Sequence, residues 1–171
     1  DLMKNITFPE KFKKPIVEAI SRYPELQHKR ISFKLVKSRL PYYARPAVIS
    51  LLNPFAHRSY IIGISEQSTI QREPTLLKNL PYEAQVGAMV HELAHILYYT
   101  KKTSLGILAD GLLYFFPRYR EYFEKMTDRI AIEKGLGNYI LAWSEVVYEV
   151  KKNDGRRGKI YYSPTEIRKL L

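Results

Sequence analysis

Between Tyr82 and Tyr99 the chain carries Val86, Val90, Leu93 and Leu97 at three- and four-residue intervals, and Leu80–Pro81 stands where a first helical turn begins. That spacing predicts one long helix with a single apolar stripe. Two histidines, His91 and His95, fall beside the stripe on a separate polar edge. Such a helix is stable only where other elements cover its stripe, so the rest of the chain has to supply them.

Upstream, Ile16, Ala19, Ile20 and Tyr23 recur at helical spacing, and Pro24 ends a short helix that starts near Pro15. In Arg30–Val36 the residues Ile31, Phe33 and Leu35 alternate with Ser32 and Lys34, the pattern of a half-buried strand. Pro41 to Pro46 reads as a break. Val48–Leu52 and Ser59–Ser65 read as two more strands, separated by the Asn53–Pro54 turn signal. Downstream of a loop at Thr100–Ser104, helical texture runs through Ile107–Phe116 and again from Pro117 to Lys134. Gly135 and Gly137 mark a stop. A further helix spans about Tyr139–Lys152 and ends at Asn153–Asp154–Gly155, and Ser163–Pro164 opens a last segment, Thr165–Leu171. The order helix, small sheet, helices predicts an α+β fold and argues against a doubly wound parallel sheet. At 171 residues the chain has the size of one domain, 1–171, with a sheet-containing part to about residue 100 and a helical part from 101 onward.

Composition excludes several chemistries. With no cysteine there is no thiolate zinc site, cysteine-held cluster, disulfide scaffold or cysteine nucleophile. Apolar content of 46% and charged content of 26% are those of a globular chain, not a disordered one. The 28 basic and 17 acidic side chains leave a net charge of +11, which suits nucleic acid, anionic lipid or an acidic partner, or simply a soluble surface. No apolar run is long enough to span a membrane. The first residue is Asp1, which suggests a trimmed or mature chain, so a soluble protein is expected, either cytoplasmic or exported after loss of an N-terminal segment.

The chemistry lies in His91-Glu92-Leu93-Ala94-His95. Histidines four apart sit one above the other on a helix, so both imidazoles reach one ion, and zinc takes nitrogen ligands at about 2.0–2.1 Å. Glu92 projects toward the same ion without ligating it, as the general base of this zinc-protease signature. The plain alternative is a satisfied histidine pair on a core helix. Gly87 and Ala88, one turn earlier, let another element come close. A catalytic site needs a third protein ligand and an open position. His28 and His57 lie upstream, so the downstream candidates are Asp110, Glu121, Glu124, Asp128 and Glu133. Glu124 and Asp128 share a helix face that continues into Ala131 and Gly135, small enough for close packing, while Tyr119, Phe123, Met126 and Ile130 form a separate stripe. A solvated acidic edge is the bland reading of that pair. Glu121, three residues before Glu124, is the competing ligand. Glu145 and Glu149 read as an ordinary amphipathic helix.

With these two motifs, Tyr82–Gly135 resembles the gluzincin metallopeptidases, in which a Glu-x-x-x-Asp helix follows the His-Glu-x-x-His helix. The resemblance implies a zincin-like fold, one catalytic Zn2+ held by His91, His95 and Glu124, and Asp128 accepting a hydrogen bond from His91. It implies a zinc-dependent peptidase acting on a peptide or protein substrate. It also implies a small sheet whose edge strand pairs with extended substrate, and Ser59–Ser65 is the candidate strand. The apolar Leu105–Phe116 segment between the two motifs departs from the most compact members. It reads as a core helix, with a membrane-facing or substrate-covering flap as the alternative. Tyr98, Tyr99, Tyr114, Tyr119, Tyr139, His57 and Arg129 are candidate donors to a developing oxyanion. Basic clusters at Lys11/Lys13/Lys14, Lys29/Arg30 and Lys151/Lys152/Arg156/Arg157/Lys159 read as solvated surface. Two rival functions stand beside the peptidase. One is a noncatalytic zinc-stabilised binding module. The other is a nucleic-acid-associated protease such as the SprT-like enzymes, which share the first motif but take a histidine as third ligand.

Overall fold

The computed structural model describes residues 3–52, 57–153 and 160–171. The Asn53–Pro54 and Asp154–Gly155 turn signals, Asp1, Arg156, Arg157 and Lys159 lie outside them. In chain order the elements are β1 (Ile6–Thr7), α1 (Lys13–Ser21), β2 (Arg30–Val36), β3 (Tyr42–Pro46), α2 (Val48–Leu52) and β4 (Ser59–Ser65). Then come α3 (Tyr82–Thr100), α4 (Ser104–Leu113), α5 (Pro117–Ala131), α6 (Gly137–Asn153) and α7 (Pro164–Leu170). The fold is α+β: a four-stranded sheet in the order β1-β2-β4-β3, followed by helices.

The strand alternation holds where it faces helices. Ile31 and Phe33 of β2 are buried and register with Tyr60 and Ile62 of β4. Leu35 does not follow the pattern and faces solvent. β1, β2 and β4 run parallel, while β3 joins β4 antiparallel at the edge.

Three expectations change here. Tyr42–Pro46 is a strand and not a break, because proline is tolerated at a sheet edge, where no neighbour asks for its missing N–H. Val48–Leu52 is a short helix and not a strand. Pro46 closes the edge strand, and the Ser50 hydroxyl and amide both donate to the Ala47 carbonyl, bending the chain back toward β4 despite two β-branched residues. Ser59–Ser65 is therefore an internal strand, flanked by β2 and β3, and the edge belongs to β3. Gly63 of β4 stands opposite Tyr43, and a Cβ there would lie 2.4 Å from the tyrosine ring. The missing side chain leaves room for that ring over the sheet.

The α3 helix has no solvent-facing edge in its central turns. From Val86 to Leu97 every residue is buried, so the polar edge expected beside the apolar stripe is enclosed by protein. It packs on α1, α5, α6 and β3. The Tyr23 hydroxyl, buried at the end of α1, donates to the Val90 carbonyl at 2.9 Å and ties the two helices together. The closest approach is at Gly87, where a Cβ would fall 2.1 Å from the Tyr139 carbonyl oxygen of α6. At Gly135, by contrast, an added Cβ would meet nothing within 4 Å. This glycine ends the α5 run with φ at +78°, the left-handed conformation that glycine adopts without strain, so its role is to stop the helix and not to admit α3. Gly87→Ala is expected to destabilise the fold by about 2–3 kcal/mol, because the backbone of α6 must move away. A urea midpoint shift measures this, and a wild-type midpoint would show that the two helices are not in such close contact.

Candidate metal centre

His91 and His95 lie on the enclosed face of α3, turned toward α5, and Glu124 comes from the facing turn of α5. All three are buried. His91 Nε2 is 3.1 Å from His95 Nε2 and 3.0 Å from Glu124 Oε2, and His95 Nε2 is 3.2 Å from the same oxygen. A tetrahedral ion with bonds of about 2.0–2.1 Å needs donor atoms about 3.3 Å apart, so this triangle has the size for one. Two imidazole nitrogens and a carboxylate can hold a metal ion here.

The outer atoms of each donor are engaged in ways that turn lone pairs inward. His91 Nδ1 donates to Asp128 Oδ1 at 2.8 Å, which leaves Nε2 as the acceptor at the centre. The Thr127 hydroxyl spends its single proton on the Phe123 carbonyl at 2.9 Å, so its oxygen accepts from His95 Nδ1 at 3.1 Å and fixes the second tautomer. Tyr114 donates to Glu124 Oε1, leaving Oε2 for the triangle. Three lone pairs therefore meet within a buried space, an arrangement that repels itself unless a proton or a cation stands between them.

The electrostatics agree. Burial opposes charge on His91, but its hydrogen bonds to Asp128 and Glu124 outweigh it and the imidazole is pushed up to about 10. Glu124 is also opposed by burial, yet the adjoining histidines hold its carboxyl well below the usual range. The centre attracts positive charge. Glu92 differs: burial raises its carboxyl, and its Oε2 has no hydrogen-bond partner among the described residues although solvent does not reach it. It lines the same cleft as the triangle, a cavity of about 720 Å³ walled by β3, α2, α4 and Tyr161.

The remaining candidate ligands do not join the triangle. Glu121 pairs with Lys125 at 3.0 Å on another face of α5, and Glu133 is exposed. Asp110 is buried, but the Tyr98 and Tyr119 hydroxyls hold its two oxygens at 2.9 and 2.6 Å. Tyr139 donates to Glu18, and Arg129 reaches toward the Tyr162 hydroxyl. Glu145 pairs with Arg168 at the surface. His28 and His57 line a second cleft away from the triangle. Of the tyrosines named from the sequence, only Tyr99 and Tyr114 face the centre's cleft.

Three residues at the centre were missed in the sequence. Thr127 was hidden between two conspicuous acids. Tyr42 falls in a stretch that its two prolines make look like a break. Tyr161 is brought in by long-range contacts alone: Asp128 Oδ2 accepts the Tyr162 amide at 3.3 Å, the Ser144 hydroxyl donates to the Tyr162 carbonyl at 2.9 Å, and the Tyr161 ring then stands edge-on to His91 at 5.5 Å.

No family model, curated protein or solved structure matches this chain. What the centre can do follows from its donor atoms. The chain is expected to bind one metal ion, with His95→Ala and Glu124→Ala losing it and Glu121→Ala keeping it. Asp128→Asn and Thr127→Val leave the triangle complete but remove the support behind one histidine each, so about 10–100-fold weaker binding is expected. Competition against a chromogenic chelator measures all five. Release by Glu121→Ala with retention by Glu124→Ala would overturn the ligand set.

Proposed function

We propose that this chain is a zinc-dependent peptidase of gluzincin type, with His91, His95 and Glu124 as ligands of one catalytic Zn2+ and Glu92 as general base. One observation carries the reading: Glu92, whose buried Oε2 has no partner among the described residues, lines the same cleft as three converging donor atoms. A structural zinc site closes its coordination with four protein groups. Here three such groups gather among the described residues, and all three line an open cavity. That difference favours catalysis over a zinc-stabilised binding module. A nitrogen, nitrogen and oxygen donor set suits zinc, and once bound zinc supplies Lewis acidity that polarises a carbonyl and acidifies a water.

The chain's own groups divide the remaining work. Glu92 takes the proton of the attacking water at its free oxygen and returns it to the leaving amine. Its carboxyl, raised by burial, is suited to carrying a proton in both directions. β3 offers the unpaired backbone groups of an edge strand along the cleft wall, so an extended peptide binds there by main-chain hydrogen bonds. This moves the substrate strand from Ser59–Ser65 to Tyr42–Pro46. The Tyr161 hydroxyl is assigned as the donor to the developing oxyanion, because its ring lines the cleft and stands edge-on to His91 at 5.5 Å, whereas Tyr114 is committed to Glu124 and Tyr42 to Trp143.

Glu92→Gln is expected to keep zinc and to lower the rate of casein hydrolysis by about 10²–10⁴-fold, because an amide cannot accept the water's proton. Tyr161→Phe should lower kcat with little change in zinc affinity. A wild-type rate for the zinc-loaded Glu92→Gln protein would rule out the assigned base, and zinc binding without cleavage of any unstructured protein would favour the binding module.

A further inference from the structure

The α4 helix is amphipathic in the wrong sense for a surface helix. Its inward face is Ile107 and the tyrosine-held Asp110, while Leu105, Leu108 and Leu112 share the outward face. Leu105 is 80% exposed, Leu112 69%, and Phe115 and Phe116 beyond the helix 82% and 63%. The α2 helix, which lines the same cleft, repeats the arrangement: Val48, Ile49 and Leu52 all face solvent, Ile49 at 84%. Leu108, Leu112 and Phe115 of the one segment and Val48 and Leu51 of the other line the same cavity at the metal centre. The mouth of the cleft thus has two apolar lips. Exposed apolar side chains in such number on one rim mark a contact surface, and Leu105–Phe116 is not the core helix expected from its composition.

Charge decides the partner. The sequence from 101 to 120 has basic residues at both ends, Lys101 and Lys102 before the helix and Arg118 and Arg120 after it. Its only acid is the buried Asp110. From 39 to 58 there are three arginines and no acid. Ser50 of α2 and Ser104 of α4 also border a second cleft of about 590 Å³, lined by His28, Lys29, Arg30, His57, Arg58 and Lys102, with no carboxylate among its described lining residues. Apolar ridges that adjoin a cationic hollow match the two layers of a bilayer interface, acyl chains below and anionic headgroups above.

From this juxtaposition we infer that α2 and α4 dock the chain on an anionic membrane surface, inserting the lips of the cleft among the lipids while the basic hollow takes headgroup charge. The cleft then opens at the membrane, toward segments of polypeptide that emerge from it. The inference stands on the lips and the hollow, not on the metal, and it is tested on protein stripped of metal by chelator, so it fails or holds independently of the peptidase reading.

The experiment is flotation with large unilamellar vesicles, either phosphatidylcholine alone or phosphatidylcholine with phosphatidylserine at 3:1, at low and high salt. Binding is expected to phosphatidylserine vesicles, with weak binding to phosphatidylcholine and a loss of about fivefold or more at high salt. The double variant Leu105→Asp/Phe116→Asp should weaken binding about tenfold or more. Lys29→Glu/Arg30→Glu should remove the preference for phosphatidylserine while sparing the residual binding. Leu105, Phe116 and Arg30 are exposed and Lys29 is only half-buried, so melting temperatures should remain close to those of the parent. Absence of flotation with phosphatidylserine vesicles overturns the inference, as does binding that the Leu105/Phe116 variant leaves unchanged. A stable dimer by sedimentation that the same variant dissociates also overturns it, because the lips would then belong to a second copy of the chain.

Discussion

Everything at the centre depends on α3 and α5 facing each other closely enough for three donor atoms to meet within 3.2 Å. That contact is expensive on its own terms. It buries two imidazoles and the carboxyls of Glu92, Glu124 and Asp128, groups that prefer water. The surrounding structure offsets the cost with specific partners: Asp128 and Thr127 behind the histidines, Tyr114 behind Glu124. A polar cluster so fully tied from outside, yet with its inward lone pairs opposed, is organised for a cation. Among the described residues Glu92 Oε2 has no hydrogen-bond partner, and Glu92 is the group for which the proposed chemistry requires a free oxygen.

The sheet and the late helices can be understood as the frame of this contact. α1 holds α3 through Tyr23, α6 meets it at Gly87, and β3 lies along it at the edge of the sheet. The segment before α7 closes the remaining side, because Asp128 holds the Tyr162 amide with the oxygen that does not face His91. One carboxylate thereby serves both a histidine and the chain that carries Tyr161. Linking the two in this way couples the donor geometry to the C-terminal segment, about 30 residues farther along the chain.

How much of this was legible in the sequence depended on how local its cause was. The i, i+4 histidines and the Glu124/Asp128 pair are spacings along single helices, and helical geometry alone puts each pair on one face. Gly135 likewise announces a stop that its own backbone makes. Failures came where neighbours decide. Val48 and Ile49 favour strand, but the preceding residues had already taken the edge position, and the Ser50–Ala47 hydrogen bonds turned the chain into a helix. Tyr42–Pro46 looks broken by proline until it is known to be an edge. Leu105–Phe116 has the composition of a core helix, and only the fold reveals that its apolar side faces outward. Tyr161 has no local signal at all, because what brings it to His91 is a hydrogen bond from the neighbouring Tyr162 amide to Asp128 of α5.

The most direct test is the position and coordination of the metal itself, read by anomalous diffraction at the zinc edge from crystals of the zinc-loaded protein. The account predicts one anomalous peak about 2.0–2.1 Å from His91 Nε2, His95 Nε2 and Glu124 Oε2, with its fourth position open to the cleft between β3 and α4. A peak elsewhere, or a fourth position filled by another protein side chain, would contradict it.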